Sequence, residues 1–226
     1  MLESDIVSGA LQTGQRVPSE RSIAERHGLS RMTARQAVEL LVRRGVVYRR
    51  PGSGTYVAPA RVVHTLQRLA GFSEQMRSQG IEPGGRLLEA QLCADPDPHI
   101  EAALGLSDGE CYWTLRRVRL GDGQPLLVEL SHLPAAIFPD LTDHDLAHGS
   151  VYDLMRSHYG VDPVRAHETI ETTACEPEDA RHLQTRPGSP AIVVTRLAYD
   201  ARGRVVEHAH DVFRGDRARF VVDLTS

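Results

Sequence analysis

The chain has 226 residues and a mass of 24.9 kDa, 41% of them hydrophobic and 25% charged, enough apolar material for one large or two small cores. No run approaches the ~20 apolar residues of a membrane-spanning helix, and the opening residues alternate acidic and apolar where an export signal would be basic then apolar. A cytoplasmic protein with no membrane partner is expected. The three cysteines, Cys93, Cys111 and Cys175, are widely spaced with no Cys-x-x-Cys pair, which argues against a disulfide framework and a thiolate zinc site. All 26 positive charges are arginine, so Schiff-base chemistry, a pyridoxal phosphate lysine and a phosphate-cradling Walker lysine are excluded. No cofactor is implied.

Charge is unevenly distributed. Residues 1–60 hold nine arginines against five acids, a net of +4, which leaves −8 for the remainder of a chain at −4. A small basic head on an acidic body suits a nucleic-acid-binding domain joined to a sensing or assembly domain.

Leu2, Ile6, Val7 and Leu11 recur at helical spacing, bracketed by Gly9 and Gly14, and predict a short first helix. Ser19 is a good N-cap for a second helix, with Glu20 in its first turn and Gly28 just past its end. After Leu29, Ser30 caps a third helix over 31–44, ended by Gly45, with Ala34, Ala37, Val38 and Leu41 as its apolar stripe. Two short helices around a tight glycine-containing turn have helix-turn-helix geometry. The third helix carries Arg31, Thr33, Arg35 and Gln36 on its other face. Arg can make two parallel bonds to guanine, Gln can do so to adenine, and Thr can bond a phosphate or touch a thymine methyl. Residues 46–50, 51–54 and 55–57 then read as strand, Gly-rich turn and strand, a β-hairpin wing whose Arg49 and Arg50 suit a phosphate or a minor groove.

The strings Pro18-Ser19-Glu20-Arg21, Ser30-Arg31-Met32-Thr33-x-Arg35-Gln36-Ala37 and Gly45-Val46-Val47-x-x-x-x-Gly52-x-Gly54-Thr55-Tyr56-Val57 resemble the winged helix-turn-helix of the GntR superfamily of bacterial transcription regulators. The resemblance implies double-stranded operator DNA as partner, with Arg21, Arg31, Thr33, Arg35 and Gln36 on the operator and Gly54 at the wing tip. Arg50 joins this set from its place at the turn. A DNA-binding domain over 1–58 and a linker over 59–65 are expected.

Beyond the linker, residues 66–79 read as an amphipathic helix, and strands follow at 86–93, 111–120, 125–132, 166–175, 190–199 and 204–213, with helices near 98–105, 150–159 and 177–184. This is an α+β domain around an antiparallel sheet. The turns at Asp122-Gly123 and Asp200-Ala201-Arg202-Gly203 each close a hairpin, and the two hairpins read as variations on one unit, an internal duplication. The half over 66–226 resembles the UTRA domain of the HutC-type branch, whose fold is chorismate-lyase-like. The resemblance rests on Phe72-Ser73-Glu74-x-Met76-x-x-x-Gly80, Arg117-x-Arg119-x-x-Asp122-Gly123-x-Pro125-x-x-x-Glu129, Gly149-Ser150-x-Tyr152-x-Leu154 and Tyr199-Asp200-x-x-Gly203-x-x-x-Glu207-x-x-x-x-x-Phe213. It implies a homodimer whose operator affinity is set by a bound metabolite. It further implies Phe72, Ser73, Arg117, Arg119, Glu129, Ser150, Tyr152, Glu207 and Phe213 as the effector-binding set; where this chain has Phe213 the family usually has Tyr.

Arg117 and Arg119 lie two apart on a strand, hence on one face, and would repel unless an anion sat between them. A small anionic metabolite, a sugar phosphate or a carboxylate, is expected there, with Glu129 and Glu207 on its donors; the alternative is that the four charges pair with one another. His208-x-His210 places two histidines on one strand face without a third ligand, so no metal site is expected. The function expected is a repressor controlled by that metabolite. The alternative is a lyase-like enzyme with an accessory basic domain, although no catalytic triad or close carboxylate pair can be identified by spacing.

Overall fold

The computed structural model describes residues 2–7, 10–58, 61–93, 97–107 and 109–224. Two units emerge, 1–61 and 62–226. The first holds α1 (Leu2–Val7), α2 (Glu20–His27), α3 (Arg31–Arg43), β1 (Val47–Arg50) and β2 (Gly54–Val57). Ser19 accepts from the Ser22 amide at 3.1 Å and Gly28 closes α2 in the left-handed region at φ 62. The expected stop of α1 at Gly9 lies outside the described residues. Val17, Ile23, Ala24, Ala34, Val38, Leu41, Val47 and Val57 form this unit's core. Ala37 is exposed, so the buried stripe of α3 is narrower than its apolar spacing implied.

Ser30 caps α3, its hydroxyl accepting from the Thr33 amide at 3.1 Å. Ser30→Ala leaves that amide without its capping acceptor and is expected to cost about 1 kcal/mol, read as a lowered denaturation midpoint of this unit by circular dichroism.

The second unit contains β3 (Val62–Thr65), α4 (Phe72–Ser78), β4 (Pro83–Leu92), α5 (Pro98–Leu104), β5 (Tyr112–Gly121), β6 (Gln124–Pro134), a 3-10 turn (Leu141–Asp143), α6 (Val151–Ser157), β7 (Arg165–Ala174), α7 (Pro177–His182), β8 (Pro190–Tyr199), β9 (Val205–Arg214) and β10 (Ala218–Val221). Two expectations are corrected here. The stretch 59–65 is not all linker: residues 59 and 60 lie outside the described residues, but Val62–Thr65 pairs in parallel with Ala218–Val221. Nor is 66–79 one helix, because α4 starts only at Phe72 with Gly71 as its N-cap. Leu69 instead reaches the main core from an irregular segment, while Phe72 and Met76 pack from the helix.

Six strands form one sheet in the order β4-β5-β6-β9-β8-β7. Each half repeats strand, helix, hairpin (β4-α5-β5-β6 and β7-α7-β8-β9), and the halves meet where β6 runs antiparallel to β9. The duplicated hairpins of the sequence are therefore the two inner pairs of a single sheet. Leu115, Leu133, Phe138, Tyr152, Met155 and Val206 anchor the largest core cluster, between the sheet and α6.

Candidate functional site

In the smaller unit, Arg31, Thr33, Arg35 and Gln36 are all exposed on α3, as is Arg21 on α2. Arg21 holds Glu25 at 2.7 Å and Arg35 holds Glu39 at 3.0 Å. Exposed pairs of this kind are worth little, so both guanidiniums can exchange partners for phosphate or base. Thr33 Oγ1 lies 2.8 Å from Ser30 Oγ, which ties its hydroxyl to the cap. In the wing, the Arg50 guanidinium sits 5.3 Å from the Tyr56 ring centre. Gly54 has φ 131, a positive-φ backbone that favours glycine, and Arg16 Nε lies 2.8 Å from where a Cβ would stand, so a side chain there would also have to displace the arginine. Arg16 and the 62% exposed Met32 were not singled out from the sequence; Met32 offers an apolar contact of the kind a thymine methyl accepts.

In the larger unit, alternation at period two puts Arg117, Arg119, Leu127, Glu129, Glu207, Asp211 and Phe213 on one wall of a single pocket. The register builds this wall in rows. Arg117 stands opposite Glu129, which stands opposite Asp211; Arg119 stands opposite Leu127, which stands opposite Phe213. The pocket is completed by Phe72 and Ser73 from α4 and by Ser150 and Tyr152 from α6, so all nine residues of the expected set line it.

Their partners differ. Arg117, with 3% of its side chain exposed, makes an ion pair with Glu129 at 2.5 Å and donates to the Leu146 and Gly149 carbonyls at 3.1 Å. Glu207 accepts from Ser131 Oγ at 2.9 Å and from the Tyr152 hydroxyl at 2.8 Å. Ser150 Oγ accepts from the Asp153 amide at 3.1 Å and so caps α6. Arg119, 1% exposed, donates to Ser73 Oγ at 2.9 Å and to the Gly149 carbonyl at 3.3 Å, and its guanidinium lies 4.8 Å from the Phe72 ring centre. Its Nε has no partner, and among the described residues no carboxylate lies within ion-pair distance of it. The Gly149 backbone that serves both arginines admits no side chain, since a Cβ would lie 2.4 Å from the Asp145 carbonyl oxygen.

The pocket also contains groups that the sequence did not single out. Arg196 on β8 holds Glu168 at 2.6 Å and approaches Asp211 and Glu207 at 3.9 and 4.0 Å. Asp211 is 4% exposed with an unpartnered Oδ1. Arg196 stands four residues before Asp200 and Arg117 five before Asp122, so the Arg…Asp…Gly pattern shared by the two hairpins already contained it. Asp211 follows only from the β6–β9 register, which no turn specifies.

Burial pushes Glu207 and, far more, Asp211 above the ordinary carboxylate range. Against burial, which works the other way, Arg117 and Arg119 hold the Glu129 carboxyl below it. Burial also lowers Arg119 to about 10. Of the three guanidiniums, Arg117 pairs with Glu129 and Arg196 with Glu168, so among the described residues the positive charge without a carboxylate partner is that of Arg119.

The His208 ring stacks on His132 at 5.9 Å, and His210 Nδ1 lies 3.5 Å from Thr195 Oγ1. Among the described residues, no helix is long and apolar enough to cross a membrane.

A basic winged helix-turn-helix and a second unit with a charged pocket define the class of DNA-binding transcription regulators. Residues 1–57 match the model of bacterial regulatory proteins of the gntR family, and residues 78–219 match the UTRA domain. The chain is 37% identical over 220 residues, 97% of its length and 90% of the relative's, to the HTH-type transcriptional repressor NagR of Bacillus subtilis. It is 33% identical over 228 residues, 99% of its length and 82% of the relative's, to the HTH-type transcriptional regulator Rv0792c of Mycobacterium tuberculosis. The crystal structure of PhnF from Mycobacterium smegmatis superposes with a TM-score of 0.79 at 29% identity, covering 99% of this chain and 98% of that one. The protein belongs to the gntR family of bacterial regulators and carries a UTRA domain. NagR and Rv0792c are named as a transcriptional repressor and a transcriptional regulator, which sets aside the lyase-like reading.

Proposed function

We propose that this regulator is a cytoplasmic repressor that binds a palindromic operator as a homodimer and releases it when a small anionic metabolite, a sugar phosphate or a carboxylate, enters the pocket of the larger unit. The observation that carries the reading is Arg119: a guanidinium deep in a pocket, without a carboxylate, bordered by Ser73 Oγ and the Gly149 carbonyl. A buried cation of this kind is stabilised by an incoming anion. The similarity to NagR, whose name makes it a repressor, supports the sign of regulation.

Arg31, Arg35 and Gln36 read bases, while Arg21, Thr33, Arg50 and the Gly54 turn hold the backbone. After selection of an operator from random duplexes, Arg31→Ala or Arg35→Ala is expected to cost about 1–3 kcal/mol and to relax base preference, whereas Arg50→Ala weakens all sequences alike and flattens the salt dependence. Equal affinity of the unmodified protein for selected and random DNA at physiological salt would sink the reading.

One winged head reads only a few base pairs, and two-fold assembly presents two heads to successive major grooves. Residues 1–58 form the reading head and 66–226 the effector-binding and dimerisation domain in this proposal. Removing residues 1–60 is expected to leave a folded dimer in sedimentation at micromolar concentration; a monomer there contradicts the assembly.

A further inference from the structure

The wing of the smaller unit gains a third strand from the segment ahead of α2. Residues 14–17 run antiparallel along the edge of β2 that β1 leaves free. The Gly14 amide donates to the Val57 carbonyl at 3.0 Å, the Val57 amide to the Gln15 carbonyl at 2.9 Å and the Val17 amide to the Thr55 carbonyl at 2.8 Å, with Arg16 opposite Tyr56. Val17 is 4% exposed in the core of this unit, so alternation turns Arg16 to the outer face. Val47 and Val57 take the core side as well, which leaves Tyr48 and Arg50 of β1 and Gly54 and Tyr56 of β2 on the face that Arg16 shares.

Two guanidiniums therefore flank β2 on one face. Arg50 is the register partner of Gly54 and lies 5.3 Å from the Tyr56 ring centre. Arg16 comes from the opposite side. Its Nε, Nη2 and Cζ lie 2.8, 3.3 and 3.4 Å from where a Cβ of Gly54 would stand, so its head rests against the bare α-carbon, two residues nearer the turn than its own bridge partner. Both arginines are exposed. The acids of this unit are engaged elsewhere, Glu20 and Glu39 with Arg49, Glu25 with Arg21 and Glu3 with Arg44, and among the described residues no carboxylate lies within ion-pair distance of Arg16 or Arg50. Like charges held on one face without an acid between them repel, and a strand of phosphates relieves that repulsion. The strand pairing fixes the Arg16 backbone before any partner arrives, which lowers the cost of ordering it on binding.

We infer that Arg16 is a DNA-contact residue of the wing, carried in on the added third strand, and that it holds a backbone phosphate beside the one held by Arg50. The inference rests on the reading of the wing as a backbone contact and adds to it a residue from outside the hairpin. It also gives the bare α-carbon of Gly54 a second use, as the surface along which the Arg16 head reaches the tip.

Fluorescence anisotropy of the full chain on a selected operator and on a random duplex, across about 50–200 mM salt, tests it. Arg16→Gln should weaken both duplexes alike, by roughly tenfold per protomer, the worth of one charge-assisted bond. It should also flatten the slope of log affinity against log salt by about 0.9 per protomer. Arg16→Lys keeps the charge and should restore most of that slope. Arg43→Gln makes the same charge change at the far end of α3 from Arg31 and Arg35 and should leave the slope as it was. Thermal midpoints by circular dichroism should match the unmodified protein for all three, and a large fall in Arg16→Gln would make Arg16 a structural residue and overturn the inference. Unchanged affinity and slope in Arg16→Gln, with Arg50→Ala still weakening both duplexes, would overturn the inference and leave the reading of the wing standing. If neither variant moves the slope, the wing does not hold the backbone and both fail. Loss on the selected operator alone, with the slope unchanged, would make Arg16 a base contact and overturn the phosphate assignment.

Discussion

Glu129→Ala is expected to destabilise the larger unit by about 3–5 kcal/mol, the cost of leaving a buried charge without its partner. Arg117 and Glu129 face each other in register across β5 and β6, with 3% and 12% of their side chains exposed. With Glu129 gone, Arg117 keeps two carbonyl acceptors, Leu146 and Gly149, but no counter-charge at contact distance. Arg117→Met combined with Glu129→Leu should be much closer to neutral, because it removes the desolvation cost together with the attraction. Trp113, the only tryptophan, lies on β5 with its indole N–H donating to the Phe138 carbonyl at 2.8 Å, so its fluorescence reports the unfolding of this unit in urea. A single variant costing less than about 1 kcal/mol would be the behaviour of an exposed pair and would refute the buried geometry.

The contrast between the two neighbouring arginines shows what the sequence could and could not convey. Spacing by two placed Arg117 and Arg119 on one face, and the Asp122-Gly123 turn brought Glu129 to the partner strand. Both follow from local rules, alternation and hairpin closure. Which arginine pairs and which stays free is decided farther away, by Ser73 on α4 and by the Gly149 backbone ahead of α6. The β6–β9 register that places Asp211 beside Glu129 joins strands separated by some seventy residues, and no turn chemistry specifies it. Capped elements were legible for a related reason: Ser19, Gly28 and Ser30 act on their immediate neighbours. The four-residue strands Val62–Thr65 and Ala218–Val221 were not, since each is too short for a periodic pattern and exists only through its pairing with the other. The helix expected over 66–79 erred in the same way, because Leu66 and Leu69 have helical spacing but Leu69 is half-buried against the core from a non-helical segment.

Arg119→Met should abolish the response to effector while leaving the protein as stable as before or more so. The two outcomes come from one cause. Burial lowers the guanidinium pKa to about 10, Nε has no partner, and its two donated bonds go to a neutral hydroxyl and a carbonyl. Methionine fills the site beside Phe72 without a charge to desolvate. An anion bound there makes charge-assisted bonds worth about 1.5–3 kcal/mol, so the variant should bind roughly ten- to hundredfold more weakly. In an operator-release titration, a coupling of about 1–3 kcal/mol suffices to switch occupancy, and operator DNA must weaken effector binding by the same factor. The variant should hold operator with unchanged affinity and fail to release it at concentrations that empty the unmodified protein. Screening hexose phosphates, hydroxy acids and their neutral analogues by calorimetry fixes the charge requirement. If Arg119→Met lost several kcal/mol of stability and still released operator normally, Arg119 would be a structural cation, and a neutral analogue binding as tightly as its anionic counterpart would identify the wrong pocket.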